Sequence, residues 1–170
     1  MERPYLLPRE SRAIPIAALR AHFPAPTLRI GDPAVRAMTD YRRDPLLIVT
    51  EEQAIEQVLD EMFRLGVRAF PVVREHVMTG LITIEHARTV PGRTLRVLDV
   101  MTPASDVPAI DWQVIEEAHV RDLMEIFDGS GARHLVVLES QSPTLSSVRG
   151  LIHRERLERQ LGTRWPGASV

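Results

Sequence analysis

No cysteine occurs in the sequence, which excludes disulfide staples, thiolate zinc sites, iron–sulfur clusters and cysteine nucleophiles together. Charge of either sign is not in excess: 21 basic residues stand against 23 acidic ones, for a formal net charge of -2. A basic field able to dominate binding to a phosphate backbone is therefore missing, and nucleic acid is a poor partner. No apolar run approaches the roughly 18 residues that span a bilayer, and MERPYLLPRESR lacks a cationic head followed by an apolar core. The expectation is a protein that makes no use of the membrane and stays in the cytoplasm, which the cysteine-free composition fits. Catalytic signatures are missing too: there is no Gly-x-Ser-x-Gly elbow, phosphate-loop Gly-x-x-x-x-Gly-Lys or His-Glu-x-x-His. Ser105, Asp106 and Asp111 read as polar loop positions, and the chain is not expected to be an enzyme.

What is present is a duplication. Gly66 to Glu85, GVRAFPVVREHVMTGLITIE, returns as Gly131 to Glu155, GARHLVVLESQSPTLSSVRGLIHRE. Each copy reads as Gly, a small residue, Arg, an apolar strand, a polar turn, then Gly-Leu-Ile. Met38-Thr39 and the run EEQAIEQVLDEMFRL precede the first copy; Met101-Thr102 and EEAHVRDLMEIF precede the second. Two matching units of about sixty residues define an internal repeat, in which one unit packs on its copy. With 170 residues and 44% hydrophobic content, the chain has room for one compact domain or two small subdomains sharing a core.

In order, residues 1–27 form a Pro-rich N-terminal arm, with Pro15 able to open a helical turn over Ile16–Phe23. The first repeat covers 28–90. Leu46–Val49 reads as a buried strand, and Thr50 as the N-cap of a helix with Gln53 at capping-box distance. Along that helix Ala54, Ile55, Val58, Leu59, Met62 and Phe63 draw one apolar stripe, and Gly66 ends it. Phe70–Val73 and Leu81–Ile84 read as a hairpin around the turn REHVMTG, with a weak helix from Glu85. Pro91-Gly92 breaks the chain. The second repeat, 95–162, follows the same plan: a strand over Val107–Val114, one helix over Glu116–Phe127 capped by Gly129 or Gly131, strands Leu135–Leu138 and Val148–Ile152, and a closing helix His153–Leu161. Ser140–Ser147 reads as a long surface loop, and 163–170 as a tail.

Two strand–helix–strand–strand–helix repeats with Met-Thr ahead of each and Gly-Leu-Ile on each return strand resemble the cystathionine-β-synthase (CBS) domain pair, or Bateman module. The resemblance covers roughly residues 28–162. It implies an α+β fold, an α/β sandwich of two tandem β-α-β-β-α repeats related by pseudo-twofold symmetry. It also implies a regulatory module that needs no cofactor, with inter-repeat clefts that take AMP, ADP, ATP or S-adenosylmethionine, and pairs that stack into a homodimeric disk. The long helices commonly form the dimer seam, so Val58, Met62, Leu123, Met124 and Phe127 are interface candidates. A ligand signal would reach an unknown regulated protein through the N-terminal arm or the loop Ser140–Ser147.

The family return strand reads Gly-h-h-Thr/Ser-x-x-Asp, where the hydroxyl helps hold phosphate or ribose and the carboxylate accepts ribose hydroxyls. Here the first copy keeps Thr83 but has His86 for the Asp, and the second has His153 for the hydroxyl residue and Arg156 for the Asp. The candidate nucleotide-binding residues are accordingly Arg68, Thr83, His86, Arg133, His134, His153 and Arg156, whose donors suit phosphate or carboxylate oxygens. No metal site is expected, since Glu85 with His86 and Glu155 with His153 fall short of three convergent ligands. The alternative is a ligand-free dimeric scaffold or protein-interaction module with degenerate clefts.

Overall fold

The computed structural model describes residues 27–89, 95–142 and 145–162. The N-terminal arm, the Pro91-Gly92 break and the C-terminal tail lie outside these residues. In chain order the elements are a 3-10 turn Ala34–Ala37, β1 (Thr39–Asp40), α1 (Ile55–Leu65), β2 (Ala69–Arg74), β3 (Val77–Thr83), α2 (Ile84–Thr89), α3 (Val97–Val100), β4 (Thr102–Pro103), a 3-10 turn Ala104–Asp106, β5 (Ala109–Asp111), α4 (Trp112–Glu117), α5 (Val120–Ser130), β6 (His134–Ser142), β7 (Leu145–His153) and α6 (Arg154–Leu161). Helices and two separate sheets make this an α+β fold.

The described chain divides into two compact units, one of residues 47–106 and one joining 27–46 to 107–162. Their boundaries differ from those of the sequence repeats, because the segment leading each repeat belongs to the unit built by the other. In the first unit the sheet order is β2-β3-β4, antiparallel throughout, with Val49 bridging parallel to Val72 beyond β2. In the second it is β1-β7-β6-β5, with β5 parallel to β6. The plan is the same: a Met-Thr strand on one edge, a central hairpin, and a short parallel partner on the other edge.

Helices α1 and α5 are both 11 residues long and amphipathic. Each ends at a glycine in the left-handed region, Gly66 at φ 68° and Gly131 at φ 66°, where a Cβ would be strained. Their starts differ from the sequence expectation. Thr50 does not cap α1; residues 50–53 make a turn in which the Thr50 amide donates to Gln53 Oε1 at 2.7 Å. Ala54 is held extended by pairing with Arg96, with Ile55 N–H donating to Leu95 O at 3.0 Å and Val97 N–H to Gln53 O at 2.9 Å, so the helix begins only at Ile55. The single helix expected over Glu116–Phe127 is likewise broken at Ala118-His119. There His119 bridges to Pro33, Ala34 donates to Ala118 O and Val120 to Asp32 O, each at 2.9 Å. One cause, pairing with the leading segment of the other repeat, sets both helix starts.

Four further expectations change. The strand expected over Val107–Val114 shrinks to β5, because the Asp111 side chain accepts from the Gln113 amide at 2.9 Å and caps α4. Leu46–Val49 supplies a single bridge, at Val49. The hairpin turn of the first unit is only Glu75-His76, both at positive φ (49° and 69°), as a two-residue turn of the I′ kind requires. Most of the expected loop Ser140–Ser147 is strand, with Ser140 opposite Ser146 and Ser142 opposite Leu145.

Each unit has its own core. Val49, Ile55, Val58, Met62, Phe70, Val72 and Ile82 cluster in the first; Ile115, Leu123, Met124, Phe127, Val137, Ile152 and Leu157 cluster in the second. Val58, Met62, Leu123, Met124 and Phe127 are at most 1% exposed in the single chain. They are core residues, not a dimer seam: the apolar stripe of each helix is consumed by its own sheet. Phe63, at the margin of the α1 stripe, remains 57% exposed beneath the Arg88 guanidinium, which lies 5.0 Å from its ring.

Candidate ligand-binding sites

In both units the return strand, the first turn of the next helix and the Met-Thr edge strand meet at one place. The return strand must approach that edge closely. Leu81 pairs with Thr102 and Gly80 with Pro103; Leu151 pairs with Thr39 and Gly150 with Asp40. A Cβ on Gly80 would sit 2.6 Å from Thr102 O and 2.8 Å from Met101 Sδ, and one on Gly150 would meet Thr39 O and lie 2.8 Å from Met38 Sδ. The Gly of Gly-Leu-Ile and the Met of Met-Thr are thus two halves of one contact.

In the first unit β3 ends at buried Thr83, whose Oγ1 accepts the His86 amide at 3.2 Å. His86 is exposed, with Nδ1 at 3.3 Å from Thr102 Oγ1. Arg68, just before β2, donates to Glu85 Oε1 at 2.7 Å, so part of its charge is met within the unit. In the second unit His153 takes the place of Thr83, and its Nδ1 accepts the Arg156 amide at 3.2 Å, capping α6. Arg156 takes the place of His86 and donates from Nη1 to Thr39 Oγ1 at 2.7 Å. His134, 5% exposed, lies directly opposite His153 across β6 and β7, where the first unit has Ala69 opposite Thr83. The two imidazole rings meet edge to face, centroids 4.4 Å apart at 74°. Arg133 is exposed; its carbonyl accepts the Arg154 amide at 3.0 Å, as Arg68's accepts Ile84 at 2.9 Å.

The structure thus gathers Thr83 and His86, with Arg68 leading β2, in the first unit, and His134, His153 and Arg156, with Arg133 leading β6, in the second. One member of each constellation was not singled out by sequence: Thr102 in the first unit and Thr39 in the second hold the side chains that stand where the family has Asp. Their place in the repeated Met-Thr pair was the available signal. At these positions a carboxylate acceptor is replaced by nitrogen-bearing side chains already engaged with a threonine hydroxyl, Arg156 as donor to Thr39 and His86 through Nδ1 to Thr102. Such a surface is suited to phosphate or carboxylate oxygens more than to ribose hydroxyls. Among the described residues no group of three or more His, Cys, Asp or Glu is placed to hold a metal ion.

Beside Thr39, an ion network ties β1 to the hairpin of the second unit. Arg149 Nε and Nη2 grip Asp40 Oδ1 and Oδ2, each at 3.0 Å, while Glu139 lies 3.5 Å from Arg149 and 2.6 Å from Arg42. The Arg149 guanidinium lies 4.3 Å from the centre of the Trp112 ring. Burial works to raise the Asp40 carboxyl's pKa, but hydrogen bonds from Arg149 and the Arg42 amide, with the charges of Arg149 and Arg43, hold it below the ordinary carboxylate value. Burial likewise opposes the charge on Arg149, and Asp40 and Glu139 more than restore it.

Residues 35–91 match the family model of the CBS domain. No curated protein matches the sequence. Among solved structures, the chain is similar to a hemolysin-like protein containing a CBS domain from Oenococcus oeni (15% identity, TM-score 0.56, covering 78% of this chain and 92% of that one). It is similar to the CBS domain of the bacterial CNNM/CorC family Mg2+ transporter in complex with ATP (14%, 0.57, 80% and 91%). It is also similar to CBSX2 in complex with AMP (16%, 0.55, 76% and 95%). The chain therefore matches the CBS domain over residues 35–91 and has the fold of CBS-domain structures over about three quarters of its length.

Proposed function

We propose that this chain is a cytoplasmic regulatory module that senses an adenosine-containing nucleotide, with AMP, ADP, ATP and S-adenosylmethionine as the ligand class, and passes its occupancy to a protein partner as a homodimer. The observation that carries this reading is the repeated gathering of nitrogen-bearing side chains at the end of both return strands, Arg68 and His86 in one unit and Arg133, His153 and Arg156 in the other. The ATP and AMP complexes of similar folds support the ligand class. Nothing in this role calls for catalysis or a required cofactor. The mechanism is a population shift: a ligand changes the equilibrium between states only by the difference of its affinities for them.

A second reading, a ligand-free scaffold, is favoured by the contacts the donors already make, Arg156 with Thr39 at 2.7 Å and Arg68 with Glu85 at 2.7 Å. The two are separated by thermal-shift titration of the purified protein with AMP, ADP, ATP, S-adenosylmethionine and NADH. A ligand at 100 times its dissociation constant stabilises by about 2.7 kcal/mol. A saturable shift for an adenosine ligand is expected, and Arg133→Ala should weaken the ATP shift more than the adenosine shift. No shift with any of them leaves the scaffold as the function.

A further inference from the structure

We propose that His134 and His153 form a proton-operated latch on α6, present in the second unit and missing from the first. The latch rests on which atom does the capping. His153 Nδ1 accepts the Arg156 amide at 3.2 Å, and a ring nitrogen accepts only when it carries no proton. The capped state therefore requires a neutral His153 with its proton on Nε2. The equivalent cap of the first unit, Thr83 Oγ1 accepting from His86 at 3.2 Å, uses a hydroxyl that does not titrate. The same backbone joint is pH-blind in one unit and pH-sensitive in the other.

His134 turns the single cap into a pair. Its ring centroid lies 4.4 Å from that of His153, and two imidazolium charges at that distance, one ring 5% exposed, repel strongly. The two rings therefore titrate as a coupled pair. The charged groups on the surrounding elements are Arg133 ahead of β6, Arg154, Glu155, Arg156, Glu158 and Arg159 on α6, and Arg121, Asp122, Glu125 and Asp128 on α5. Arg154 is met by Asp128 at 2.6 Å and Glu158 at 2.9 Å. The charges of these groups bear on the pH at which the proton arrives. The direction is set by the cap: the first turn of α6 is held while His153 is neutral, at high pH, and released as His153 takes a proton at Nδ1.

Arg156 links the latch to the site, because its amide is the capped group and its guanidinium holds Thr39 on β1 at 2.7 Å. Acidification then loosens the residue at the family's Asp position in the second unit, whereas the corresponding cap of the first unit, on the Thr83 hydroxyl, has no proton to take up.

The test is ligand-free and so does not depend on the nucleotide reading. Hydrogen exchange of the α6 amides is followed at pH 8 and pH 5.5, corrected for intrinsic rates, in the wild type, His153→Thr and His134→Ala. The substitutions install the residues the first unit carries at these places. In the wild type, loss of one N-cap should accelerate exchange at Arg156 and the following turn about fivefold on acidification. His153→Thr should hold its protection at both pH values, and His134→Ala should move the midpoint of the acid transition. Equal acid sensitivity in His153→Thr and the wild type, or an unmoved midpoint in His134→Ala, would overturn the latch. A nitrogen-15 spectrum of the wild type at pH 8 gives a check that needs no variant: a proton found on His153 Nδ1 is incompatible with the cap and would overturn it as well.

Discussion

Gly80 and Gly150 are small for a steric reason and not a conformational one. At each, an added methyl would run into the backbone carbonyl and methionine sulfur of the facing Met-Thr strand, Thr102 and Met101 in one unit and Thr39 and Met38 in the other. Neither strand can retreat without giving up its ladder hydrogen bonds. Gly80→Ala and Gly150→Ala are each expected to destabilise by about 1–3 kcal/mol, the usual cost of overpacking a fitted contact, measured by urea unfolding. Asp40 gives a second expectation at this scale. Its carboxyl titrates below its ordinary value because Arg149 and the Arg42 amide favour the charged form against burial. A lowered folded-state pKa contributes stability that is fully present above the unfolded value, about 3.9, and is lost as pH falls through the lowered one. Asp40→Asn should therefore be less stable than the wild type at pH 7, and the gap should narrow at pH 3; urea midpoints at the two pH values measure both.

Elements were legible in the sequence where their determinants are local. Gly66 and Gly131 marked the ends of α1 and α5 because a left-handed residue at a helix end needs no distant partner. The spacing of Ile55, Val58 and Met62 gave the buried face of α1 correctly, and Leu123, Met124 and Phe127 share the buried face of α5. What those faces bury against was not legible: a stripe of that kind fits a dimer seam as well as a sheet. Only the contacts show that each is covered by its own unit. Leu123→Ala should consequently cost about 2–5 kcal/mol in denaturant unfolding, as a core deletion does. The helix starts were misplaced because Ala54 and His119 are fixed by Arg96 and Pro33, tens of residues away in the chain. The same distance hid much of the candidate sites. Thr83 and His153 were read from the motif at 83 and 153, and their caps reach amides only three residues on, but the contacts of His86 with Thr102 and Arg156 with Thr39 depend on a strand contributed by the other repeat.

At the scale of the whole molecule, repeat and compact unit are different objects. Residues 27–46 complete the sheet and core of the unit formed by 107–162, and residues 95–106 complete the unit formed by 47–89. A chain divided after Gly92 leaves each half without an edge strand and without the partner that fixes its long-helix start. The two halves produced separately should lack a cooperative unfolding transition, and mixing them should restore one whose midpoint rises with concentration; far-UV circular dichroism melts over a dilution series check this. In the intact chain the same exchange happens within one polymer, at an effective concentration set by a short tether. The duplication therefore substitutes loop closure for bimolecular encounter: dilution, which would strip a strand-exchanged pair of single repeats, leaves these Met-Thr edges in place.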